Sequence, residues 1–144
     1  MDESFADLAA RQEALVRALV AGADLPAGFI APHVDAAARA LLRKRFGEVL
    51  HPWPALVLHR EEYLCWAAGR PTRGSWLDGW DFARAHRAAL APEARAALAV
   101  REALWHYPPA GASDARPRRA PALRFFPGGL VLAAFTKARV FGRA

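Results

Sequence analysis

The spacing of the apolar residues changes near Trp105, and this change restricts the possible folds more than any other feature of the chain. Before Trp105 the pattern advances by steps of three and four residues, as at positions 5, 8, 12, 15 and 19, which are apolar except for Gln12. That is the period of an amphipathic helix. After Trp105, the segments ALRFF, LVLAAF and RVFG are short β-type runs, and the first two are separated by a Gly-containing turn. The sequence therefore predicts helices first and strands last.

This order predicts an α+β fold that is mostly helical, with four to five helices followed by a small C-terminal antiparallel hairpin or meander. Two helices that lead into a hairpin also fit a winged-helix-like second half. We predict a helical domain at residues 1–106 and a linker rich in Pro and Arg at residues 107–121. A β unit at residues 122–144 is expected to pack on the helices.

Local signals predict several helix boundaries and one burial state. Gly22 is expected to end the first helix, and Pro32 is expected in the first turn of the second. Ser75 and Asp78 have the spacing of a capping box at the start of the fourth helix. Cys65 is expected to be a small buried apolar residue rather than a nucleophile.

The charge of the chain is unevenly distributed. The whole chain carries 20 Lys and Arg against 14 Asp and Glu, a formal net charge of +6. All 14 acids and 13 of the cations precede Ala115, so that part is nearly neutral. The remaining seven cations follow it with no acid among them: Arg116, Arg118, Arg119, Arg124, Lys137, Arg139 and Arg143. The basic field therefore belongs to the C-terminal end.

The sequence contains no recognisable catalytic or metal-binding set. The five histidines are scattered without the spacing of metal ligands. His51 and His59 flank a proline-rich loop that could bring them together in space. A small enzyme that uses one of them is therefore a third, weaker interpretation. We expect no enzymatic activity, no metal and no cofactor in this chain.

Targeting signals and membrane spans are also not recognised. The acidic, amphipathic start MDESFADLAARQ lacks the basic flank and apolar centre of a secretory signal. No apolar run approaches the roughly 18 residues that a membrane-spanning helix needs. With Cys65 as the single cysteine, the chain cannot form an internal disulfide, and a cytoplasmic location is expected.

A basic cluster on the second helix is the first candidate binding site. Arg43, Lys44 and Arg45 interrupt the apolar pattern of LLRKRFGEVLHPWP, and Trp53 follows closely. The cluster is compatible with a solvated helix face, with docking to an acidic protein surface, or with a helix that contacts DNA. The DNA interpretation is weakened because the surrounding segment is neutral and phosphate contacts supply most of the affinity of such proteins.

The basic tail is the second candidate binding site. Arg116, Arg118 and Arg119 precede ALRFF, a predicted edge strand that an extended acidic peptide could complete by backbone pairing. Alternatively, the arginines protect an exposed edge from aggregation. The residues assigned to peptide binding are Arg116, Arg118, Arg119, Leu123, Arg124, Phe125, Lys137 and Arg139.

Several segments carry a resemblance to known proteins. LAARQEALVRALVAG, LPAGF and VDAAARALLRKRFGEVLHPWPAL, followed by WAAGRP and GWDFAR, resemble a group of small actinobacterial proteins. More distantly, they resemble the accessory proteins, labelled as DNA-binding domains, that are encoded beside multinuclear non-haem iron-dependent oxidases. The resemblance covers roughly residues 8–105.

The resemblance implies a non-catalytic partner protein in the biosynthesis of ribosomally made, modified peptides. Such a partner binds the iron-dependent oxidase and presents the leader segment of the precursor peptide. Carried over by position, Arg43, Lys44, Arg45 and Trp53 would face the enzyme, and residues 123–135 would receive the leader. The alternative function is a DNA-binding regulator of the helix-turn-helix or winged-helix type.

Overall fold

Residues 5–109 and 114–142 are described by the computed structural model of this protein. Within these ranges the helices come first and the strands last, so the predicted α+β class is confirmed. A 3₁₀ helix, Pro54–His59, connects the second and third α-helices. The five α-helices are α1 (Phe5–Ala21), α2 (Ala31–Leu50), α3 (Arg60–Ala67), α4 (Ser75–Ala85) and α5 (Pro92–Leu104).

The strands form two small antiparallel sheets. The first sheet pairs β1 (Trp105–His106) with β2 (Arg116–Pro117). The second is a meander of β3 (Ala122–Phe126), β4 (Gly129–Ala134) and β5 (Lys137–Gly142), with β4 in the middle. The predicted meander is therefore confirmed.

Two tight turns connect the strands of the meander. Pro127 and Gly128 join β3 to β4, and the φ of 100° at Gly128 is the value that glycine supplies at the third position of a type II turn. Phe135 and Thr136 join β4 to β5 with φ values of 50° and 66°. Both residues therefore occupy the left-handed region, a backbone conformation that costs free energy for residues other than Gly, Asn or Asp.

The helix boundaries follow local signals with one exception. Gly22, with a φ of 66°, lies just past the end of α1, and Pro32 lies in the first turn of α2, both as predicted. The prediction of a capping box at the start of α4 is wrong. Gly74 is the N-cap residue and no side chain caps this helix, because the Asp78 carboxylate is engaged by residues from outside it.

The main core contains most of the large aromatic residues. Trp53 and Trp80 lie with ring centroids 6.5 Å apart, and Tyr63 and Phe82 lie 5.4 Å apart. Gly79 makes this packing possible, because a Cβ there would lie 2.3 Å from Cδ1 of Trp53. The core also holds Phe46, Val49, Leu56, Ala67, Leu77, Ala83, Leu90, Ala94 and Leu98. It thus joins the C-terminal half of α2 to α3, α4 and α5.

A smaller apolar cluster fixes the meander to the helices. Ala99 and Ala103 of α5 pack against Val131 and Ala133 of β4, and all four are buried. The small alanines let the helix approach the sheet closely. Because α5 contributes to both clusters, it holds one face of the sheet against the helical core.

The segment predicted as a linker is attached at both ends. β1 precedes it, β2 lies within it, and their pairing closes the segment into a loop. Tyr107 and Ala115 pack against the main core, and the side chain of Pro108 is fully buried. Residues 110–113 lie outside the described ranges. The described parts of this segment therefore belong to the fold.

The first helix contributes little to the core. None of the residues of α1 is buried, and its packing partner is α2. Cys65 is exposed, which contradicts the prediction of burial, because it lies on the solvent side of α3 while Tyr63 and Ala67 face the core. No described helix is both long enough and apolar enough to cross a bilayer.

Candidate binding surfaces

The meander has one covered face and one open face. Side chains alternate along each strand, so Ala122, Val131 and Ala133 lie toward α5 on what we call the inner face. The opposite, outer face is made by Leu123, Phe125, Leu130, Leu132, Ala134, Lys137, Arg139 and Phe141. Its large apolar residues are at least partly exposed, with Phe125 at 73% of its maximum.

The apolar residues of the outer face are neighbours across the strands. Leu123 is paired with Leu132, and Phe125 with Leu130, which in turn is paired with Phe141. Opposed residues of an antiparallel pair lie about 5 Å apart, so these five side chains form a continuous patch. Contiguous exposed apolar patches on a soluble protein mark interaction sites.

The outer edge of β3 is open. In the described part of the chain, β3 is paired with β4 on one side and with no strand on the other. The two-residue turn makes Phe126 and Gly129 the hydrogen-bonded pair that closes the hairpin. Hydrogen-bonded and non-hydrogen-bonded pairs alternate along an antiparallel ladder. The N–H and C=O groups of Leu123 and Phe125 therefore point away from β4. Nη1 of Arg124 donates to the carbonyl oxygen of Leu123 at 3.3 Å.

The predicted cationic residues surround this sheet without an acidic residue in the same segment. Lys137 and Arg139 lie on the outer face and are exposed, as are Arg116 and Arg119. Arg118 and Arg124 are half-buried on the side of α5. No Asp or Glu follows Asp114. The acids that lie close to the sheet are Glu93 and Glu102 of α5, and the excess of cations over these two favours a ligand with negative charge.

Phe135 at the tip of the β4–β5 turn is a further candidate contact. Its side chain is 87% exposed, and its backbone has a φ of 50°. Strained positions of this kind cluster at binding sites. The sequence predicted the segment that contains Phe135 as part of the platform, but gave no signal for its left-handed backbone.

The basic cluster of α2 does not act as one surface. Nε of Arg45 lies 2.8 Å from Oδ2 of Asp78, and its Nη1 donates to the carbonyl oxygen of Arg70 at 2.7 Å. The side chains of Arg45 and Asp78 are only 14% and 2% exposed. Thr72 and the backbone N–H of Arg73 also donate to Asp78, at 2.6 and 2.8 Å. Arg45 thus fastens α2 to the loop before α4.

Arg43 and Lys44 remain exposed on two different sides of α2. Lys44 lines an apolar groove between α1 and α2. Arg43 lines a cavity of about 430 Å³ between α2 and α3, together with Arg39, Leu42, Arg60, Glu61, Leu64, Cys65 and Ala68. This cavity, which we call the α2–α3 groove, has three arginines against one glutamate. Of the predicted partner-binding residues, Arg43 in this groove and Lys44 in the other are accessible.

Trp53 is not on the surface. It is 1% exposed, and its Nε1 donates to the carbonyl oxygen of Trp76 at 2.9 Å. The guanidinium of Arg101 lies over the rings of Trp53 and Trp76, 5.0 and 4.0 Å from their centroids. The predicted role of Trp53 as a surface anchor therefore has no exposed ring to act through.

A polar cluster that the sequence did not reveal connects α4 to the start of the loop after β1. Tyr107 donates its hydroxyl to Asp81, and Nη1 of Arg73 lies 3.0 Å from Asp81 and 3.1 Å from the Tyr107 hydroxyl. Burial and the hydrogen bond to Asp81 raise the pKa of Tyr107. Tyr107 lies 26 residues after Asp81 in the chain, so no local motif could have indicated the cluster.

The histidines considered for catalysis do not converge. Nε2 of His59 accepts a hydrogen bond from the backbone N–H of Ala91 at 2.9 Å, and the residue is buried. His51 is exposed. Within residues 5–109 and 114–142, no group of three His, Cys, Asp or Glu side chains has the arrangement of a metal site.

Comparison with known proteins finds one family. The profile described as "SCO6045-like, C-terminal domain" matches residues 9–88, more than half of the chain. The matched segment runs from α1 through α4 and ends before α5 and the meander. No curated protein and no solved structure matches the chain.

Proposed function

This chain belongs to the SCO6045-like C-terminal domain family, and we propose that it is a non-catalytic accessory protein that binds an extended, acidic peptide along its C-terminal meander. The peptide is the leader segment of a ribosomally made precursor. The partner enzyme is an iron-dependent oxidase that modifies this precursor, and the present chain brings the two together.

The observation that carries the proposal is the open outer face of the meander beside the open edge of β3. A peptide strand added to β3 would bond to the outward N–H and C=O groups of Leu123 and Phe125. Its alternate side chains would extend the patch formed by Phe125, Leu130 and Phe141. Backbone pairing would supply affinity that is independent of sequence, and the apolar contacts would supply selectivity.

The positive charge around the meander favours an acidic peptide. Arginines that only protected an edge would be expected to accompany a polar outer face, because an exposed apolar sheet is itself an aggregation hazard. Here the outer face is apolar and the cations Lys137 and Arg139 lie on its β5 side. This combination favours a binding surface over a protected edge.

The oxidase is proposed to dock on a different part of the molecule, between α2 and α3. The groove between α2 and α3 contains Arg39, Arg43 and Arg60 around a short apolar floor. It lies within the segment that carries both the family match and the resemblance to oxidase partners. An acidic patch on the enzyme would be complementary to it.

Affinity purification tests the proposal directly. A tagged copy of the full chain is produced in its own host, and the retained proteins and peptides are identified by mass spectrometry. Retention of an iron-dependent oxidase together with its acidic precursor peptide is the expected result. A tagged chain that retains neither of them contradicts the proposal.

A matched pair of variants assigns the peptide to the meander. The double substitution Phe125→Ser and Leu132→Ser is expected to abolish retention of the precursor, because it removes apolar contacts on the outer face. Leu58→Ser is the control, since Leu58 is as exposed as Phe125 but lies on the 3₁₀ helix. Equal loss in both variants would contradict the assignment.

The same purified protein tests the DNA-binding alternative. A regulator would bind duplex DNA with an affinity that falls by about 0.9 log unit per log unit of salt for each phosphate neutralised. We expect no such binding. Steep, salt-dependent duplex binding that survives the Phe125→Ser and Leu132→Ser substitutions would favour the regulator over the accessory protein.

A further inference from the structure

A cavity lined by arginines lies next to the open edge of β3. Its volume is about 290 Å³. It is formed where the end of α5 meets α4, β1 and β3, and its lining residues are Arg84, Glu102, Trp105, Tyr107, Arg118 and Arg124. Three of the six are cations and one is an acid, so an anion is the ligand that this lining favours.

Two of the three arginines are held in place by the surrounding structure. The guanidinium of Arg84 lies 4.1 Å from the ring centroid of Tyr107, and its Nη1 is 3.7 Å from Glu102. Arg118 donates its backbone N–H to Leu104 at 2.7 Å and its Nε to the carbonyl oxygen of Glu102 at 3.0 Å. Held side chains lose little conformational entropy when a ligand arrives.

The terminal nitrogens of Arg118 remain available. In the described part of the chain, its hydrogen bonds are those made by the backbone N–H and by Nε. A planar guanidinium presents its donors in a geometry that matches a carboxylate or a phosphate. Arg118 can therefore offer two parallel donors to an anion in the cavity.

Glu102 does not neutralise the cavity. Its carboxylate lies 2.6 Å from Nη2 of Arg87, which is outside the lining, and 3.7 Å from Arg84. One carboxylate is thus shared between two arginines, while Arg118 and Arg124 make no ion pair with any described residue. The site retains positive charge that a bound anion would compensate.

The position of Arg124 connects the cavity to the edge of β3. Arg124 is the central residue of this strand, its side chain lines the cavity, and its Nη1 reaches the carbonyl oxygen of Leu123 at the open edge. A residue opposite Arg124 on an added strand would point to the same side of the sheet. Its neighbours, opposite Leu123 and Phe125, would point to the outer face.

We infer that this cavity receives the carboxylate of one acidic side chain of the bound peptide, so that β3 selects the pattern apolar, acidic, apolar. The inference rests on the proposed function for the backbone pairing. It adds Arg84 and Arg118 as residues that determine specificity, and it fixes the register of the guest strand by placing its Asp or Glu opposite Arg124.

Titration with small anions tests the cavity without the peptide. The full chain is titrated at constant ionic strength with N-acetylglutamate amide and separately with inorganic phosphate, and the Nε–Hε signals of the arginines are followed by NMR. We expect saturable binding of the carboxylate that Arg118→Gln weakens tenfold or more, as loss of a charge-assisted hydrogen bond predicts. The same substitution at a distant exposed arginine of α1, Arg17→Gln, is expected to leave it unchanged.

Further variants make each result decisive. Arg118→Gln also removes the bond to Glu102, so Arg84→Gln, at a more exposed side chain, is a second variant that should weaken binding while the fold is retained. Phosphate binding without carboxylate binding, or carboxylate binding that both variants leave intact, would overturn the inference. The outer-face variant Phe125→Ser and Leu132→Ser should bind the carboxylate normally. If the proposed function is wrong, the affinity purification shows it. If the cavity does not bind a carboxylate, this titration shows it.

Discussion

The helical core and the C-terminal meander use similar apolar side chains in opposite ways. Trp53, Tyr63, Trp80 and Phe82 are fully enclosed. In the meander, one face is sealed against α5 while Phe125 and its neighbours on the outer face remain open. The core therefore provides the free energy of folding, and the outer face is left available for a ligand.

Polar groups show the same contrast. In the core, Asp78 accepts from Arg45, Thr72 and the backbone of Arg73. In the tail, seven cations follow Asp114 and no acid accompanies them. Paired charges inside the molecule help to specify its structure, whereas an excess of one sign, as in the tail, favours contact with groups of the opposite sign.

Replacement of Trp53 is expected to break the core most severely. Trp53→Ala removes a fully buried ring that packs on Gly79 and has the guanidinium of Arg101 over its face. We expect the free energy of unfolding to fall by about 3–5 kcal/mol. Urea unfolding monitored by far-UV circular dichroism measures this loss. A loss below about 1 kcal/mol would mean that the ring is not enclosed.

Removal of the buried carboxylate should have the next largest effect. Asp78→Ala leaves Nε of Arg45 and the backbone N–H of Arg73 without their acceptor, and we expect a loss of about 3 kcal/mol. Asp7→Ala is the control, since Asp7 lies exposed in the first turn of α1. The same urea unfolding applies, and similar values for both variants would show that the Asp78 network does not stabilise the fold.

Alkaline pH should weaken the core through Tyr63. Burial raises the pKa of Tyr63 to about 12, with Arg45 acting against this shift and Asp78 adding to it. Near pH 10 the unfolded chain loses the proton of the Tyr63 hydroxyl while the folded chain keeps it. The free energy of unfolding therefore falls by roughly 2–3 kcal/mol as the pH rises from 10 to 12. Unfolding of wild type and Tyr63→Phe across this range measures the difference, and parallel pH profiles would contradict the prediction.

Changes on the outer face should leave the fold almost untouched. The double substitution Phe125→Ser and Leu132→Ser removes exposed side chains, so we expect the free energy of unfolding to change by no more than about 1 kcal/mol. Thermal melting checks this expectation, with Leu58→Ser as the reference. A large drop in melting temperature would mean that the outer face is covered in solution, and the contrast between core and meander would then disappear.

The local features of this fold were predictable from the sequence. The helical period before Trp105, the β-type runs after it, Gly22 at the end of α1 and the Pro-Gly turn after β3 each depend on residues close together in the chain. The failures arose where distant residues meet. Asp78 was predicted to cap its own helix, but Arg45, 33 positions earlier, binds it instead.

The candidate site was predicted only in part, for the same reason. The cationic tail and the edge strand were visible in the sequence, because they are a matter of composition and alternation. Trp53 and Arg45 were placed on the surface because they follow or belong to a basic run, yet the core encloses the first and a buried acid engages the second. Arg84 was not identified, since only folding brings α4 to the edge of β3.

Sequence alone thus determined where helices and strands form and at which end the positive charge accumulates, since both depend on neighbouring residues. It did not determine which face of the meander is covered. Alternation in ALRFF would suggest that Leu123 and Phe125 are inside and Arg124 outside, but the structure turns Arg124 toward α5 and leaves the two apolar residues exposed. That choice depends on Ala99 and Ala103 packing against Val131 and Ala133. Contacts between elements far apart in the chain decided it.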